Sequence, residues 1–403
     1  FRRVLFRSNN FKEIAGSSKV TYTGTAEIGP QVTEGGLKLP TRIYNSAAEA
    51  LQLDSFEPEI RPYIKRIFLD KYPGVVALHS LDSGDVSKTL GYTTLRLIPG
   101  EQLPRHRRIY HLSPSDSRYL DELLEQFIRF NYVRRAPIDS TNLHLYGMST
   151  YLVPRKKETD IARLVIDFSP LTTIIQSPPS VVPDISASLQ QLQGKSLFSV
   201  MDLKYAYLAL RIDEASKPLT TFLTQNGSFQ WLSVPTGASC SPSLFLDAMN
   251  RILHYKPVLD KQGNPIFERP NHVKLERDVL NHSFHYFDDI TCASEIKPTY
   301  KLSLDHHFEC LDQIIYRLNF HNIKLSVNKS EFAKPKILFL GWFVSHDYIT
   351  PDPRRMEKIK NATFPQTKNE VRSFLGLVNS IRRVIRSEEH TSELQLPCNL
   401  VCR

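Results

Sequence analysis

The sequence has few cysteines and no long apolar run, and both shortages narrow the class of protein. Its 403 residues contain 5 cysteines, an odd number without a Cys-x-x-Cys pair, so no disulfide framework is expected and a reducing compartment is favoured. No apolar stretch reaches the length that spans a bilayer, and no basic-then-apolar leader opens the chain. These absences predict a globular protein without a membrane partner.

The chain has an excess of basic residues. Its formal net charge is +9 and its pI is about 9.2, which suits a polyanionic partner, because affinity for nucleic acid comes largely from neutralised phosphates and released counterions. Many basic proteins bind no nucleic acid, so charge alone identifies no partner. A hydrophobic content of 41% is enough to bury the core of two or three subdomains.

The most informative segment is 286–289, Tyr-Phe-Asp-Asp, which lies between the apolar segments 284–286 and 290–293. These segments are typical of the arms of a tight β-hairpin, whose turn would point the carboxylates outward. Two adjacent carboxylates repel each other unless a divalent cation neutralises them, and Mg²⁺ takes oxygen ligands of this kind. The pattern therefore indicates a metal site, with a solvated Asp-Asp turn as the alternative.

A second acid, Asp202, ends the apolar run 197–201 and is predicted at the end of a strand. It is far from Asp288 in sequence, so only a fold that lays its strand beside the hairpin can join the two. A catalytic site with two metal ions requires carboxylates such as these two to lie close together.

Four ordered segments resemble the palm motifs of a reverse transcriptase: 200–207, 231–237 with 241–245, 286–289, and 339–342. Flanking segments extend the resemblance to the pol polyprotein of a gypsy-type LTR retrotransposon. Upstream, the segments that resemble a fingers hairpin are 148–157 and 162–168. Downstream, the segments that resemble the approach to the last palm motif and the start of the thumb are 324–332 and 371–379. The resemblance covers about residues 101 to 385.

The resemblance implies an α+β fold, the right-handed polymerase, with fingers, a palm and part of a thumb. The palm is expected to be an antiparallel sheet with helices on one face. The expected division is a leader or linker over 1–100, fingers and palm over 101–345, and the start of the thumb or connection over 346–385. Segments 1–8 and 386–403 resemble translated sequencing-adapter sequence and are excluded from the fold, so the chain is expected to be a truncated reading frame.

The implied activity is template-directed addition of deoxynucleotides to a primer 3′-hydroxyl. The implied catalytic acids and metal ligands are Asp202, Asp288 and Asp289. The implied cofactor is a pair of Mg²⁺ ions, with Mn²⁺ as the alternative because both accept carboxylate oxygens. The implied nucleotide-binding residues are Lys156, Arg163, Tyr207 and Thr236. The implied primer and template contacts are Pro242, Leu340, Gly341 and Trp342.

Expected partners are an RNA and DNA template-primer and deoxynucleoside triphosphates, in a cytoplasmic retroelement particle or in the nucleus. The oligomeric state stays open. The rival to the enzyme is a truncated, catalytically inactive nucleic-acid-binding remnant of the polyprotein.

Several of the implied contacts have a purely structural alternative. Tyr207 would wall off the nucleotide sugar and reject a 2′-hydroxyl, and it could instead be a core tyrosine. Lys156 and Arg163 would meet the triphosphate, although basic residues on a hairpin are usually only solvated. Segment 340–342 would press its backbone against the primer end, or form an ordinary β-turn beside a buried tryptophan.

Two further motifs are interpreted as structural. Segment 82–84, Asp-Ser-Gly, has the form of an aspartic protease turn but lacks the flanking apolar strands of a separate domain. Four residues could suggest zinc: His306, His307, Cys310 and His321. They fall on or near a predicted helix over 304–318 and lack the paired short spacings of a structural zinc site.

Local patterns predict other elements. Helices are expected over 58–69, 115–130, 185–192, 242–252 and 304–318. Ser115 and Asp116 are the N-cap candidates of the second helix, which should pack on the fingers. Asn226 and Gly227 mark a hairpin, and 255–281 is expected to be an inserted polar loop.

Overall fold

The structure is a computed structural model that describes residues 43–79, 81–103, 109–137, 147–153, 163–178, 184–203, 205–379 and 381. Lys156 and the adapter-like segments 1–8 and 386–403 lie outside the described residues. Only the backbone of Arg163 is described.

The described residues form the following α-helices: α1 Ala47–Leu51, α2 Arg61–Lys65, α3 Ser87–Leu90, α4 Pro114–Arg129, α5 Ser169–Thr172, α6 Ile185–Leu192, α7 Ser241–Leu253, α8 Tyr300–Phe320, α9 Pro353–Lys360 and α10 Lys368–Asn379. None of these helices is long and apolar enough to cross a membrane.

The described residues form the following strands: β1 Arg96–Leu97, β2 Val133–Arg135, β3 Met148–Val153, β4 Arg163–Ile166, β5 Ile175–Gln176, β6 Lys195–Asp202, β7 Phe222–Thr224, β8 Gly227–Trp231, β9 Tyr255–Pro257, β10 Phe267–Arg269, β11 His272–Val273, β12 Leu275–Arg277, β13 Ser283–Tyr286, β14 Asp289–Glu295, β15 Glu331–Lys334, β16 Lys336–Phe339, β17 Trp342–Ser345 and β18 Ile349–Pro351.

The chain divides into two compact units that alternate along the sequence. The first takes its described residues from Phe1–Val182, Met201–Ile290 and Leu311–Ser330, and the second from Pro183–Val200, Thr291–Cys310 and Glu331–Arg403. The catalytic acids predicted from the sequence all lie in the first unit, whereas segment 340–342 lies in the second.

A five-stranded sheet in the first unit has the order β2-β8-β7-β3-β4. Its pairs are antiparallel except β3 with β7, which run parallel. The ring of Phe127, on α4, lies 5.3 Å from that of Trp231 on β8. Helix α4 therefore packs against the sheet that also contains β3 and β4, and its predicted packing on the fingers stays a prediction.

A four-stranded sheet has the order β13-β14-β6-β15. Strand β6 ends at Asp202, and β13 and β14 are the arms of the hairpin that carries Asp288. This strand order lays the Asp202 strand next to the hairpin. The sheet of the second unit has the order β16-β17-β18 and is antiparallel.

Most predicted helices are confirmed, with different ends. Helix α6 matches its predicted bounds, and α8 extends beyond 304–318 at both ends. The predicted N-caps of α4 are wrong, because the cap is Ser113, whose Oγ accepts from the N–H of Asp116 at 3.1 Å. Pro114 explains the earlier start, since proline is well suited to the first helical position.

Two other local predictions need correction. The predicted helix over 58–69 begins only at Arg61 and continues as a π-helical stretch, Arg66–Lys71. The expected loop over 255–281 contains β9 to β12, in which β9 pairs with β12 and β10 with β11. Its strands are largely exposed, so they lack the apolar alternation by which strands are recognised in a sequence. The predicted hairpin near Asn226 is confirmed between β7 and β8.

Candidate active site

A two-residue turn places Asp288 between strands β13 and β14. The turn residues are Phe287 and Asp288, and Asp289 begins β14. Phe287 has a φ of 52°, in the left-handed region that a residue with a side chain seldom adopts. Its ring lies 4.9 Å from that of Tyr286, nearly perpendicular to it. This aromatic pair offsets part of the cost of the strained turn that presents the acids.

Asp202 is held through its backbone at the end of β6. Its N–H donates to Ser330 Oγ at 3.2 Å, and its carbonyl accepts from the N–H of Ser326 at 2.9 Å. Ser330 Oγ also donates to the carbonyl of Ser326 at 3.1 Å. Neither serine has a predicted role. Local sequence could not reveal this contact, because Ser330 is 128 residues from Asp202.

The three acids influence one another electrostatically. Burial raises the pKa of Asp288 above its usual range, and the charges of Asp289 and Asp202 raise it further. Neighbouring protein atoms, which displace water from its carboxylate, and the charge of Asp202 likewise raise the pKa of Asp289, although much of the residue is exposed. Asp288 is half-buried and Asp289 is exposed. The fold therefore gathers negative charge that a cation would stabilise.

The acids fit a divalent cation of the magnesium type. The Oδ1 atom of Asp288 is buried and has no hydrogen-bond partner, which is costly for a carboxylate that is not otherwise neutralised. No group of three or more His, Cys, Asp or Glu side chains in the described part of the chain is already arranged to hold a metal. Mg²⁺ usually takes one or two carboxylates and completes its coordination with water and substrate phosphate, so a full protein cage is not required.

Tyr207 lies beside these acids. It belongs to a short 3-10 turn, Ala206–Ala209, and is half-buried. Its ring packs edge-on against Phe245 of α7, with ring centroids 5.3 Å apart. Burial raises the pKa of Tyr207, and the charge of Asp288 raises it further. Both residues thus share one local electrostatic environment.

Thr236 and Pro242 flank the start of α7. Thr236 is exposed, and Pro242 occupies the first turn of the helix and is half-buried. Between them, Ser241 donates from Oγ to the carbonyl of Pro235 at 2.7 Å. This bond fixes the path of the segment that carries Thr236.

For Arg163 and for segment 340–342, the described part of the structure gives the backbone position but no contact that would indicate a ligand. Arg163 begins β4, where it pairs with Val153. Leu340 and Gly341 form the two-residue turn between β16 and β17, both with positive φ, and Trp342 is buried. This geometry is an ordinary tight turn, so a primer contact stays a prediction.

The Asp-Ser-Gly segment is built into the first unit. The carboxylate of Asp82 accepts from the N–H of Leu78 at 2.9 Å. Ser83 is buried, and its Oγ lies 2.9 Å from the hydroxyl of Tyr132. Its neighbour Gly84 faces the backbone of Asn322. These contacts belong to a packed core, as the structural interpretation predicts.

Two of the candidate zinc residues, His307 and His321, lie within hydrogen-bond distance of neighbouring hydroxyl groups. His307 is buried on α8, where its two ring nitrogens lie 2.7 Å from Ser199 Oγ and 2.8 Å from Ser294 Oγ. His321 lies beyond the end of α8 and contacts Thr89 Oγ1 at 2.9 Å. The helix-face interpretation therefore accounts for His307, and His321 has a structural hydrogen-bond partner outside the helix.

The part of the chain that carries this site is similar to known proteins. Residues 152–344 match the family described as "Reverse transcriptase (RNA-dependent DNA polymerase)". The retrovirus-related Pol polyprotein from transposon 297 of Drosophila melanogaster is 30% identical over 243 residues, which are 60% of this chain and 20% of that polyprotein. The transposon Tf2-3 polyprotein of Schizosaccharomyces pombe is 25% identical over 292 residues, 72% of this chain and 19% of the polyprotein. The chain spans about a fifth of the length of these relatives.

Solved structures agree on the fold. A foamy viral protease-reverse transcriptase in complex with double-stranded DNA has a TM-score of 0.64 at 19% identity, covering 89% of this chain and 66% of that one. A second structure of such a protein, with an RNA/DNA hybrid, has a TM-score of 0.60 at 17% identity, covering 91% of this chain and 48% of that one. The predicted α+β polymerase fold is therefore confirmed.

Proposed function

We propose that this chain, which contains a reverse transcriptase domain of the kind carried by retrotransposon Pol polyproteins, catalyses template-directed transfer of a deoxynucleotidyl group to a primer 3′-hydroxyl. Reverse transcriptases are RNA-directed DNA polymerases and belong to the nucleotidyltransferases. The observation that carries the proposal is Oδ1 of Asp288, which is buried without a hydrogen-bond partner while the charges of Asp202 and Asp289 raise the pKa of its carboxyl group.

Asp202 and Asp288 would hold two divalent cations, Mg²⁺ or Mn²⁺, with Asp289 in a supporting position. Bound there, such ions would supply positive charge that lowers the pKa of the primer hydroxyl and stabilises the triphosphate and the departing pyrophosphate. The protein contributes the placement of the acids. Asp202 is fixed by two backbone hydrogen bonds and Asp288 by a strained turn, so little reorganisation is needed when substrate binds.

Tyr207 would select the sugar of the incoming nucleotide. Its packing against Phe245 limits ring motion, and its position beside Asp288 would bring the ring close to the sugar. A fixed ring leaves no room for a 2′-hydroxyl, so deoxyribonucleotides are favoured by steric exclusion.

We assign the other proposed contacts with nucleotide, template and primer from the charge, exposure and backbone geometry of the residues. Thr236 is exposed and would contact the nucleotide, and Lys156 and Arg163 would neutralise its triphosphate. At the start of α7, Pro242 would border the template. Segment 340–342 would hold the primer end, where a tight turn with glycine allows close backbone approach.

The partners would be an RNA or DNA template annealed to a primer, together with deoxynucleoside triphosphates. A formal charge of +9 supports binding to a polyanion, and the similar foamy viral proteins are seen with double-stranded DNA and with an RNA/DNA hybrid. The source element would be a gypsy-type LTR retrotransposon. We place the activity in a cytoplasmic retroelement particle, with the nucleus as the alternative.

A primer-extension assay on a homopolymer RNA template tests the proposal. The chain should add matching deoxynucleotides when Mg²⁺ is present and stop when the cation is chelated. Binding of the primer-template should survive chelation, because phosphate contacts carry affinity. Tight binding without extension at any Mg²⁺ or Mn²⁺ concentration would overturn the proposal in favour of an inactive nucleic-acid-binding remnant.

A further inference from the structure

Ser330 makes a direct contact with the backbone of Asp202. Its hydroxyl accepts the Asp202 N–H at 3.2 Å and donates to the carbonyl of Ser326 at 3.1 Å. Ser330 is 8% exposed, so water has limited access to replace it. Asp202 is the last residue of its strand, and the hydroxyl supplies the partner that its N–H requires.

The hydroxyl completes a small hydrogen-bonded frame around Asp202. The Asp202 carbonyl accepts from the N–H of Ser326 at 2.9 Å, and the next residue, Leu203, forms an antiparallel bridge with Leu325. Both peptide groups of Asp202 are therefore tied to one neighbouring segment. Because the direction of the Cα–Cβ bond follows from the backbone, this frame sets the direction in which the Asp202 side chain leaves the chain.

Loss of the hydroxyl would leave the supporting segment intact. The N–H of Ser330 donates to the carbonyl of Val327 at 3.1 Å, and the bond from Ser326 to Asp202 uses backbone atoms only. Neither contact involves the Ser330 side chain. Removal of the hydroxyl should therefore free the Asp202 N–H and remove one of two hydrogen bonds to the Ser326 carbonyl, which still accepts from the N–H of Lys329 at 2.9 Å. The change is thus local, which separates the placement of Asp202 from general folding.

We infer that Ser330 is a positioning residue for Asp202, and that it acts through the backbone of this acid without touching substrate. The inference rests on the proposed function insofar as Asp202 is a metal ligand. Small displacements of a catalytic group weaken reaction more than binding. Ser330 should therefore matter for turnover and for the cation concentration that turnover requires.

The first test compares Ser330→Ala with Ser216→Ala. Ser216 is a matched control, because it is also buried in the first unit and its Oγ accepts a backbone N–H, that of Leu95 at 2.7 Å. Ser330→Ala should lower kcat for primer extension by about tenfold, or about 1.4 kcal/mol, and raise the Mg²⁺ concentration for half-maximal rate. The KM for nucleotide and the Kd for primer-template should stay within about twofold of the parent.

Conservative variants decide whether the hydroxyl itself matters. Ser330→Thr keeps the hydroxyl and should restore most of kcat, and Ser330→Cys, with its weaker acceptor, should fall between alanine and serine. A kcat for Ser330→Ala equal to that of Ser216→Ala would overturn the inference. Equal losses in all three variants at position 330 would also overturn it, because they would reflect packing.

A second readout does not depend on activity. Hydrogen exchange at the Asp202 amide should be faster in Ser330→Ala than in the parent, with exchange at Leu203 little changed. Mn²⁺ binding, followed by electron paramagnetic resonance without nucleotide, should weaken. Unchanged exchange and unchanged Mn²⁺ binding would refute the positioning role even if the parent extends primers. A parent that fails to extend primers while both readouts shift would instead refute the proposed function and leave the positioning of Asp202 supported.

Discussion

Burial and, to a smaller extent, the charge of Asp288 raise the pKa of the Tyr207 hydroxyl, and the Tyr207 ring packs edge-on against Phe245 with ring centroids 5.3 Å apart. An aromatic ring is thus held beside a candidate metal ligand by a contact on α7. If Tyr207 contacts the sugar of the incoming nucleotide, as proposed, this packing would hold the selecting ring next to the proposed site of reaction.

Tyr207→Val should raise the use of ribonucleotides relative to deoxyribonucleotides by roughly tenfold or more, because the smaller side chain opens room for a 2′-hydroxyl. Tyr207→Phe is the matched control, since it keeps the ring and should keep the selectivity. Competition between the two nucleotide types in single-turnover extension measures the effect. Unchanged discrimination in the valine variant would return Tyr207 to a purely core role.

The raised pKa of Asp288 has a consequence for stability. A carboxyl whose folded-state pKa lies above its unfolded value contributes stability that is present below the unfolded pKa and lost as the pH rises through the folded pKa. In cation-free buffer, Asp288→Asn should therefore unfold at a higher urea concentration than the parent at pH 7. The gain should vanish below about pH 4, where an ordinary carboxyl is also protonated.

Added Mg²⁺ should reverse this order at pH 7, because a cation that binds only the folded state stabilises the parent. The control is Asp347→Asn, which alters an exposed acid. This variant should unfold at the same urea concentration as the parent, both without and with Mg²⁺. An Asp288→Asn protein no more stable than the parent in cation-free buffer would show that the acids do not strain the fold.

Asp121 offers a second pH-dependent test. Burial raises the pKa of this α4 residue to about 6, although a hydrogen bond from Asn226 lowers it. By the same sign rule, its contribution to stability is fully present below about pH 4 and is lost as the pH rises through 6. Asp121→Asn should stabilise the protein at pH 8 by on the order of 1 kcal/mol, allowing for a half-exposed group. Urea unfolding at pH 4 and pH 8 measures this gain, with exposed Glu268→Gln as the control. Equal gains at both pH values would contradict the prediction.

Gly84 tests the structural interpretation of the Asp-Ser-Gly segment. It has a φ of 83°, and a Cβ there would lie 1.8 Å from the backbone oxygen of Asn322. Gly263, in the same unit, has a φ of 86° with no atom within 4 Å of its Cβ position. Gly263→Ala should cost about 1 kcal/mol from the left-handed backbone alone, and Gly84→Ala roughly 3 kcal/mol or more because backbone must move. If urea unfolding shows similar losses of stability for both variants, close packing of Gly84 against Asn322 would be refuted.

Local features of the site were predictable from sequence, whereas contacts across the chain were not. The turn at Asp288 follows from two short apolar arms around two residues, a pattern contained in a few positions. The contact between Ser330 and Asp202 spans 128 residues and depends on the folded chain. A hydroxyl gives no periodic signal, so no propensity argument could assign its partner.

The wrong predictions for the N-cap of α4 and for segment 255–281 also have physical causes. Ser113 caps α4 although Ser115 and Asp116 also suit a cap, and Pro114 decides among them through its fixed φ. The strands within 255–281 expose much of both faces, so their sequence is that of a polar loop. The placement of Asp202 next to the hairpin could be expected only from the resemblance to polymerases, because strand order is a property of the whole fold.

The rate of single-nucleotide addition by Asp202→Asn and Asp288→Asn on an RNA template shows whether these acids form a metal-binding catalytic centre. Each variant keeps the size of the side chain and removes the charge that a cation requires. Both rates should fall by roughly a hundredfold or more, while primer-template affinity stays near that of the parent and Asp347→Asn retains the parent rate. Addition by Asp202→Asn at the parent rate would contradict the assignment of these acids as the metal-binding centre.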